Sequence, residues 1–273
     1  MKQNKRGIIY IATGEDNIRD AIFSAKSIKK HSPEINITLY TDKINITSPY
    51  IDQIEEIETN FFQKKLKWLR RIQVLSNSPY EETLYLDADT YALENLGEIF
   101  KLLKKYDLIV AFASKRVFQR PKNIPNSFPE MNAGIILYKM KSNMKKLFGD
   151  WEKFYSRNPL PHDQPALREA LWESNIKLGI LPEEYNIRSS KRVHLWIKEG
   201  IPNKIRILHM KSLRKRSIII RYAKYFNKQS EIYQKTNLGK PFHNKINLKI
   251  TLLFNINKLR NRIGSIIDKA IRK

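Results

Sequence analysis

The 273-residue chain is 41% hydrophobic and 29% charged, which excludes a wholly disordered protein and allows one large folded domain with or without an extension. It contains no cysteine, so disulfides and thiolate metal sites are excluded, and a reducing compartment such as the cytoplasm is compatible. A net charge of +24 favours polyanionic partners: nucleic acid, anionic lipid or nucleotides.

The first apolar run, Gly7 to Ala12, is β-branched and ends at Thr13-Gly14, so it reads as a buried strand. It is far too short for a signal-peptide core, and no window approaches the roughly 20 apolar residues of a spanning helix. Asp16 or Asn17 can cap a helix to Lys30, which His31-Ser32-Pro33 ends. Ile35 to Tyr40 reads as a second strand, stopping at Thr41-Asp42, and Ile51 to Ile57 as a third. Phe61 to Leu75 is expected to be helical, and Thr83 to Leu86 is a buried strand running into Asp87-Ala88-Asp89.

A helix is expected over Leu93 to Lys104, a strand over Asp107 to Phe112, and a proline-rich loop over Lys115 to Glu130. Met131 to Tyr138 is a strand that opens with Asn-Ala-Gly. Helices follow over Ser142 to Ser156 and His162 to Ser174, then a strand over Ile176 to Leu181. Ile205 to Met210 is a last strand carrying His209. Strands alternating with helices imply an α/β fold with a mixed, mostly parallel sheet. Ligands of such sheets sit beyond the carboxyl ends of the strands, where Thr13, Asp42, Asp87, Asp89 and His209 fall.

Asp87 and Asp89 are one residue apart, so in extended chain both carboxylates share a face. They form either a cup for Mn²⁺ or Mg²⁺, which also take substrate phosphates, or a solvated turn. His209 is either a packing residue or a further ligand, and its imidazole suits Mn²⁺ better than Mg²⁺. Gly134 permits close backbone approach and Asn132 can bond a hydroxyl-rich ligand, or the two form an ordinary turn. Asp163-Gln164 binds a ligand or caps a helix. Lys67, Arg70 and Arg71 are a solvated helix face or reach a diphosphate.

In order along the chain, YIATG at Tyr10, RRIQVLSNSPYEETLYLDADT at Arg70, MNAGIILY at Met131, HDQPAL at His162, LPEEYNIR at Leu181 and the pair His209 and Lys215 resemble the motifs of GT-A fold glycosyltransferases. The resemblance is closest to family 8, the group of glycogenin and the bacterial lipopolysaccharide galactosyltransferases, and it spans about residues 7 to 215. It implies a Rossmann-like catalytic domain over 1–215 with helices on both faces, and a retaining transferase using a nucleotide-diphosphate sugar, most often a UDP-sugar, with Mn²⁺ or Mg²⁺. Asp87, Asp89 and His209 would hold the metal. Ala12, Thr13, Asp42, Arg70, Arg71, Ala88, Asn132, Ala133, Gly134 and Lys215 would complete the donor site, and Asp163 and Gln164 would lie at the transferred sugar. Two positions depart from the family pattern: Ser212 stands where glycine is usual, and Arg216-Ser217 where Pro-Trp is usual.

The last quarter, from Lys211, holds 17 Lys and Arg against Glu231 and Asp268, and so most of the excess charge. From Leu252 to Ile271 apolar residues recur at helical spacing, with cations mostly elsewhere on the wheel. Residues 216–273 therefore read as a basic, amphipathic helical extension. It suits the anionic inner face of a membrane, holding the enzyme peripherally near a glycan or glycolipid acceptor, or it packs on the domain with its cations in water. Two other readings compete. A nucleic-acid-binding protein rests on charge alone, without a recognisable motif. A nucleotidyltransferase would need a glycine-rich phosphate loop that Thr13-Gly14 does not supply.

Overall fold

The computed structural model describes residues 5–57, 66–113, 123–199, 203–215 and 217–236. Strand β1 (Arg6–Ile11) pairs in parallel with β2 (Asn36–Thr41) and β4 (Glu82–Leu86), and β3 (Gln53–Glu56) extends the sheet beyond β2. On the other side of β4 lie β7 (Met131–Lys139), β6 (Leu108–Phe112) and β8 (Leu178–Ile180), giving the order β3-β2-β1-β4-β7-β6-β8. β7 runs antiparallel to both its neighbours. The sheet is therefore mixed and mostly parallel, as expected from the alternation of elements.

The central strands are apolar on both faces because both are covered. Ile8, Tyr10, Leu84, Leu86, Ile135 and Leu137 face one layer, which contains α1 (Glu15–His31) and a 3₁₀ helix (Gly97–Lys104). Ile9, Tyr85, Ile136 and Tyr138 face the other, against α2 (Leu66–Ser76), α3 (Ser142–Arg157) and α4 (Gln164–Trp172). Trp151 of α3 is fully buried there. The period-two alternation of strand side chains thus sorts one run of residues into two cores.

A third cluster forms around a two-stranded sheet. β5 (Thr90–Ala92) follows the two aspartates and pairs antiparallel with β9 (Ile207–His209). α5 (Ser190–Glu199) and α6 (Ser217–Thr236) close over it through Val193, Trp196, Ile219, Ile220, Ala223 and Phe226. β5 reaches this place because the facing side of α1 is built from small residues, Ala21, Ser24, Ala25 and Ser27. Ser27 Oγ accepts the Ala92 N–H at 2.8 Å.

Several local expectations change. The helix expected from Leu93 begins only at Gly97 and is 3₁₀, because the preceding residues are drawn into β5 and its turn. Gly14, with φ 74°, precedes α1 in place of an Asp16 or Asn17 cap, and both residues lie in the first turn instead. The strand bearing His209 belongs to the small sheet rather than the large one. Helix α5 has no counterpart among the expected elements, while α6 falls at the start of the extension expected to be helical and packs onto the domain through the third cluster. Residues 61–65 of the helix expected from Phe61, and the amphipathic stretch from Leu252, lie outside the described residues.

Candidate active site

The two aspartates stand at the carboxyl end of β4, and the turn that carries them is held from below. The Thr90 N–H and hydroxyl both donate to the Asp87 carbonyl, and the Thr90 hydroxyl continues through Ser24 to Tyr10 in a buried chain. The Asp87 N–H donates to the Gly134 carbonyl at 2.8 Å, and the Met210 N–H to the Asp89 carbonyl at 2.9 Å. β5 pairs Thr90 with His209, which brings the histidine back beside the aspartates across more than a hundred residues of chain.

The side chains converge. His209 Nε2 lies 3.4 Å from Asp87 Oδ2 and 3.3 Å from Asp89 Oδ1. One ligand atom from each residue falls within 4.8 Å of the others. Gly134 explains how β7 passes so near: a Cβ there would lie 2.2 Å from Asp87 Oδ2 and 2.5 Å from His209 Cε1. No side chain fits, so the glycine of the Asn-Ala-Gly opening is a requirement of the cluster.

Asn186 sets the histidine. Its Oδ1 is 2.8 Å from His209 Nδ1, and its amide nitrogen faces the Phe112 carbonyl and Asn132 Oδ1. Nδ1 therefore carries a hydrogen, which leaves Nε2 to face the carboxylates, where it holds either a proton bonded to them or a cation. The Tyr85 hydroxyl donates to Asp87 Oδ1 at 2.6 Å. Two carboxylates and one oriented imidazole fit a divalent cation, with Asp87 and Asp89 still partly open to solvent.

Burial alone would raise the Asp87 pKa, but the hydrogen bond and charge of His209, then Arg71 and Tyr85, outweigh it and hold the carboxyl at about 2. Burial alone would lower the His209 pKa, and its bonds to Asp87 and Asp89 reverse this, so the imidazole binds a proton more tightly than an ordinary histidine.

Arg71 is buried behind this cluster. Its Nε and Nη2 donate to the Asp163 carboxylate, its Nη1 donates to the Ala133 carbonyl at 3.0 Å, and it lies 3.7 Å from Asp87. The guanidinium sits over the rings of Trp68, Tyr85 and Trp151. Burial opposes its charge, and Asp163, Tyr85 and Asp87 more than offset this. Asp163, fully buried, makes no side-chain cap at the start of α4 because its carboxylate is taken by Arg71. Gln164 Oε1 accepts from Asn132 Nδ2 and the Ala133 N–H, and Gln164 Nε2 donates to Glu130.

A cleft of about 440 Å³ opens over the cluster. Ala12, Thr13, Arg70, Arg71, Asp87, Ala88, Asp89 and Lys215 line it, joined by Asp16, Asn17, Asp20, Trp68, Tyr85, Lys211, Ser212 and Arg214. Asn132, Ala133, Gly134, Asp163 and His209 are buried outside this lining, and Gln164 is half-buried, bonded to Asn132. Asp42 stands apart from it and accepts the Gly14 N–H. Tyr85 and Asn186 are site residues that were not singled out from the sequence, although both lie within its motifs, Tyr85 in the strand before Asp87 and Asn186 in LPEEYNIR.

The nucleotide-diphospho-sugar transferase family matches residues 30–217. The chain belongs to this family. The transferase also resembles the crystal structure of the galactosyltransferase LgtC in complex with donor and acceptor sugar analogs, with a TM-score of 0.56 at 12% identity, over 80% of this chain and 95% of that one. An active-site mutant of LgtC aligns with a TM-score of 0.54 at 12% identity, over 76% and 87% of the two chains. These likenesses establish the GT-A fold. No curated protein sequence matches the transferase.

Because a metal must displace the proton from His209 Nε2, and because that proton is held more tightly than at the usual 6.5, cation affinity should strengthen as pH rises from 6.5 through the raised value and then level off. The expected slope is about tenfold per pH unit below the His209 pKa. Mn²⁺ titrations between pH 6 and 8.5 on the wild type and on His209→Gln check this. The variant should bind more weakly and without the dependence.

Proposed function

We propose that the transferase moves a sugar from a UDP-sugar to a glycan or glycolipid acceptor, with retention of anomeric configuration, using Mn²⁺ (or Mg²⁺) held by Asp87, Asp89 and His209. The convergence of these three residues, with Asp87 and Asp89 lining the cleft and His209 buried against them, carries the reading. An imidazole nitrogen beside two carboxylates favours Mn²⁺ over Mg²⁺, which prefers oxygen ligands. When bound, the cation neutralises negative charge that grows on the leaving diphosphate.

The chain's own residues supply the remainder. Lys211 and Lys215, exposed at the lip, offer mobile cations to the phosphates. Arg71 acts from behind: it is committed to Asp163 and the Ala133 carbonyl, so it fixes the wall of the site and adds positive potential beside Asp87. Gln164 is oriented by bonds at both ends of its amide, which presents a fixed polar surface beside Asn132 for sugar hydroxyls. The LgtC complex with donor and acceptor sugar analogs supports the same use of the fold.

Calorimetry with UDP-glucose, UDP-galactose and UDP-N-acetylglucosamine, with and without Mn²⁺, tests the donor. Heat is expected with at least one donor when Mn²⁺ is present, and Asp89→Ala should weaken it by about 100-fold. Silence with every donor would remove the assignment.

An anionic membrane surface is the proposed setting of the acceptor. Among the described residues no helix is long and apolar enough to cross a membrane. The outer face of α6, however, exposes Arg221, Lys224 and Lys228 with Tyr225 and Ile232. α6 lies within the last quarter of the chain, from Lys211, which holds most of the excess charge. Each cation near such a surface contributes about 1 kcal/mol. The full chain should co-sediment with phosphatidylserine vesicles at low salt, release at high salt, and ignore phosphatidylcholine vesicles. Equal partitioning into both would refute an electrostatic attachment.

A further inference from the structure

The lip of the cleft is a short turn held at several points. Upstream, the Met210 N–H donates to the Asp89 carbonyl beside the cluster of Asp87, Asp89 and His209. Ser212 then adopts φ 61°, a left-handed conformation that costs a non-glycine residue energy and reverses the chain. Leu213 inserts into the third core, and the Lys215 N–H closes the 3₁₀ turn onto the Ser212 carbonyl at 3.0 Å. Lys211 and Lys215, on either side, are exposed to the cleft.

Arg214, between Leu213 and Lys215, spans the cleft wall to helix α1. Its Nε donates to Asp20 Oδ1 at 2.9 Å and its Nη2 to Asp16 Oδ1 at 3.1 Å. The three side chains belong to segments almost two hundred residues apart, and all of them line the cleft. Two hydrogen bonds from one planar guanidinium to two carboxylates one helical turn apart fix direction as well as distance. Exposed ion pairs of this kind contribute little to folding. A strained backbone residue beside such a clasp is instead the signature of a segment held in a required conformation.

We infer that Arg214 is a positioning residue for donor binding: by clasping Asp16 and Asp20 it fixes the turn so that Lys215 faces the diphosphate. The inference rests on the nucleotide-sugar reading of the cleft. It separates Arg214 from its neighbour in role, since the arginine binds the protein and the lysine binds the ligand. It also explains how a turn with serine at the left-handed position remains closed.

A double-mutant cycle tests it. UDP, GDP, ADP and CDP are titrated by calorimetry with Mn²⁺ into the full-length wild type, and the tightest binder is carried forward to Arg214→Gln, Lys215→Ala and the double variant. Arg214→Gln is expected to weaken nucleotide binding by about tenfold. Its melting temperature and its Mn²⁺ affinity without nucleotide should stay unchanged. Lys215→Ala should cost much less in the Arg214→Gln background than alone, because an unpositioned lysine has little left to lose. Wild-type affinity in Arg214→Gln, a matching fall in its Mn²⁺ affinity, or losses that add in full would each overturn the role. A wild type that binds none of the four nucleotides would overturn the nucleotide reading itself, and this inference with it.

Discussion

Everything in the site depends on how closely the backbone of β7 passes the end of β4. At Gly134 the two strands leave no space for even a methyl group beside Asp87 and His209. That contact fixes the carboxylate of Asp87 against the imidazole, and the Asp87 N–H to Gly134 carbonyl bond keeps the strands in register there. Since β7 runs against β4, its first residues rather than its last reach the ligand end of the sheet. The reversal in a mostly parallel sheet is thus what delivers Asn132 and Gly134 to the same edge as the two aspartates.

From that contact a polar network runs through the protein. His209 is bonded to Asn186, Asn186 faces Asn132, and Asn132 is bonded to Gln164, which is bonded to Glu130. Beside it, Arg71 links Asp163 to the Ala133 carbonyl. A buried pair of this sort contributes little net stability, because removing charges from water costs about what their attraction returns. Its value lies in geometry: α2, α4 and β7 are held at fixed separation behind the cleft, and the ligand cluster cannot spread without breaking bonds in low dielectric.

Much of this was legible in the residues. The apolar runs ending at Ala12, Tyr40 and Leu86 announced buried strands, and the Asp-Ala-Asp triplet announced where their ligand end lay. The direction of β7 was not legible, because a run buried on both faces reads alike in either sense. β5 has three residues, too few for any period, and it forms because β9 and the small-residue face of α1 receive it. Asp163 read as a sugar-binding residue or a helix cap, and the partner of its carboxylate, Arg71, is 92 residues away. Tyr85 and Asn186 lie within the motifs of the sequence, but the bonds that give them their roles, to Asp87 and to His209, are set by the fold and not by local pattern. The apolar residues of α6 became intelligible only beside Trp196 and the β5–β9 pair that they cover.

The claim at the centre is that Gly134 makes room for a cation held by Asp87, Asp89 and His209. Electron spin-echo spectroscopy of the Mn²⁺-loaded chain reads it directly, since an imidazole nitrogen bound to the ion modulates the echo. The wild type should show one such nitrogen. Gly134→Ala, folded by circular dichroism, should lose it, because the added methyl group displaces the ring and the carboxylate. A nitrogen signal equally strong in Gly134→Ala, or its absence from the wild type, would contradict the account.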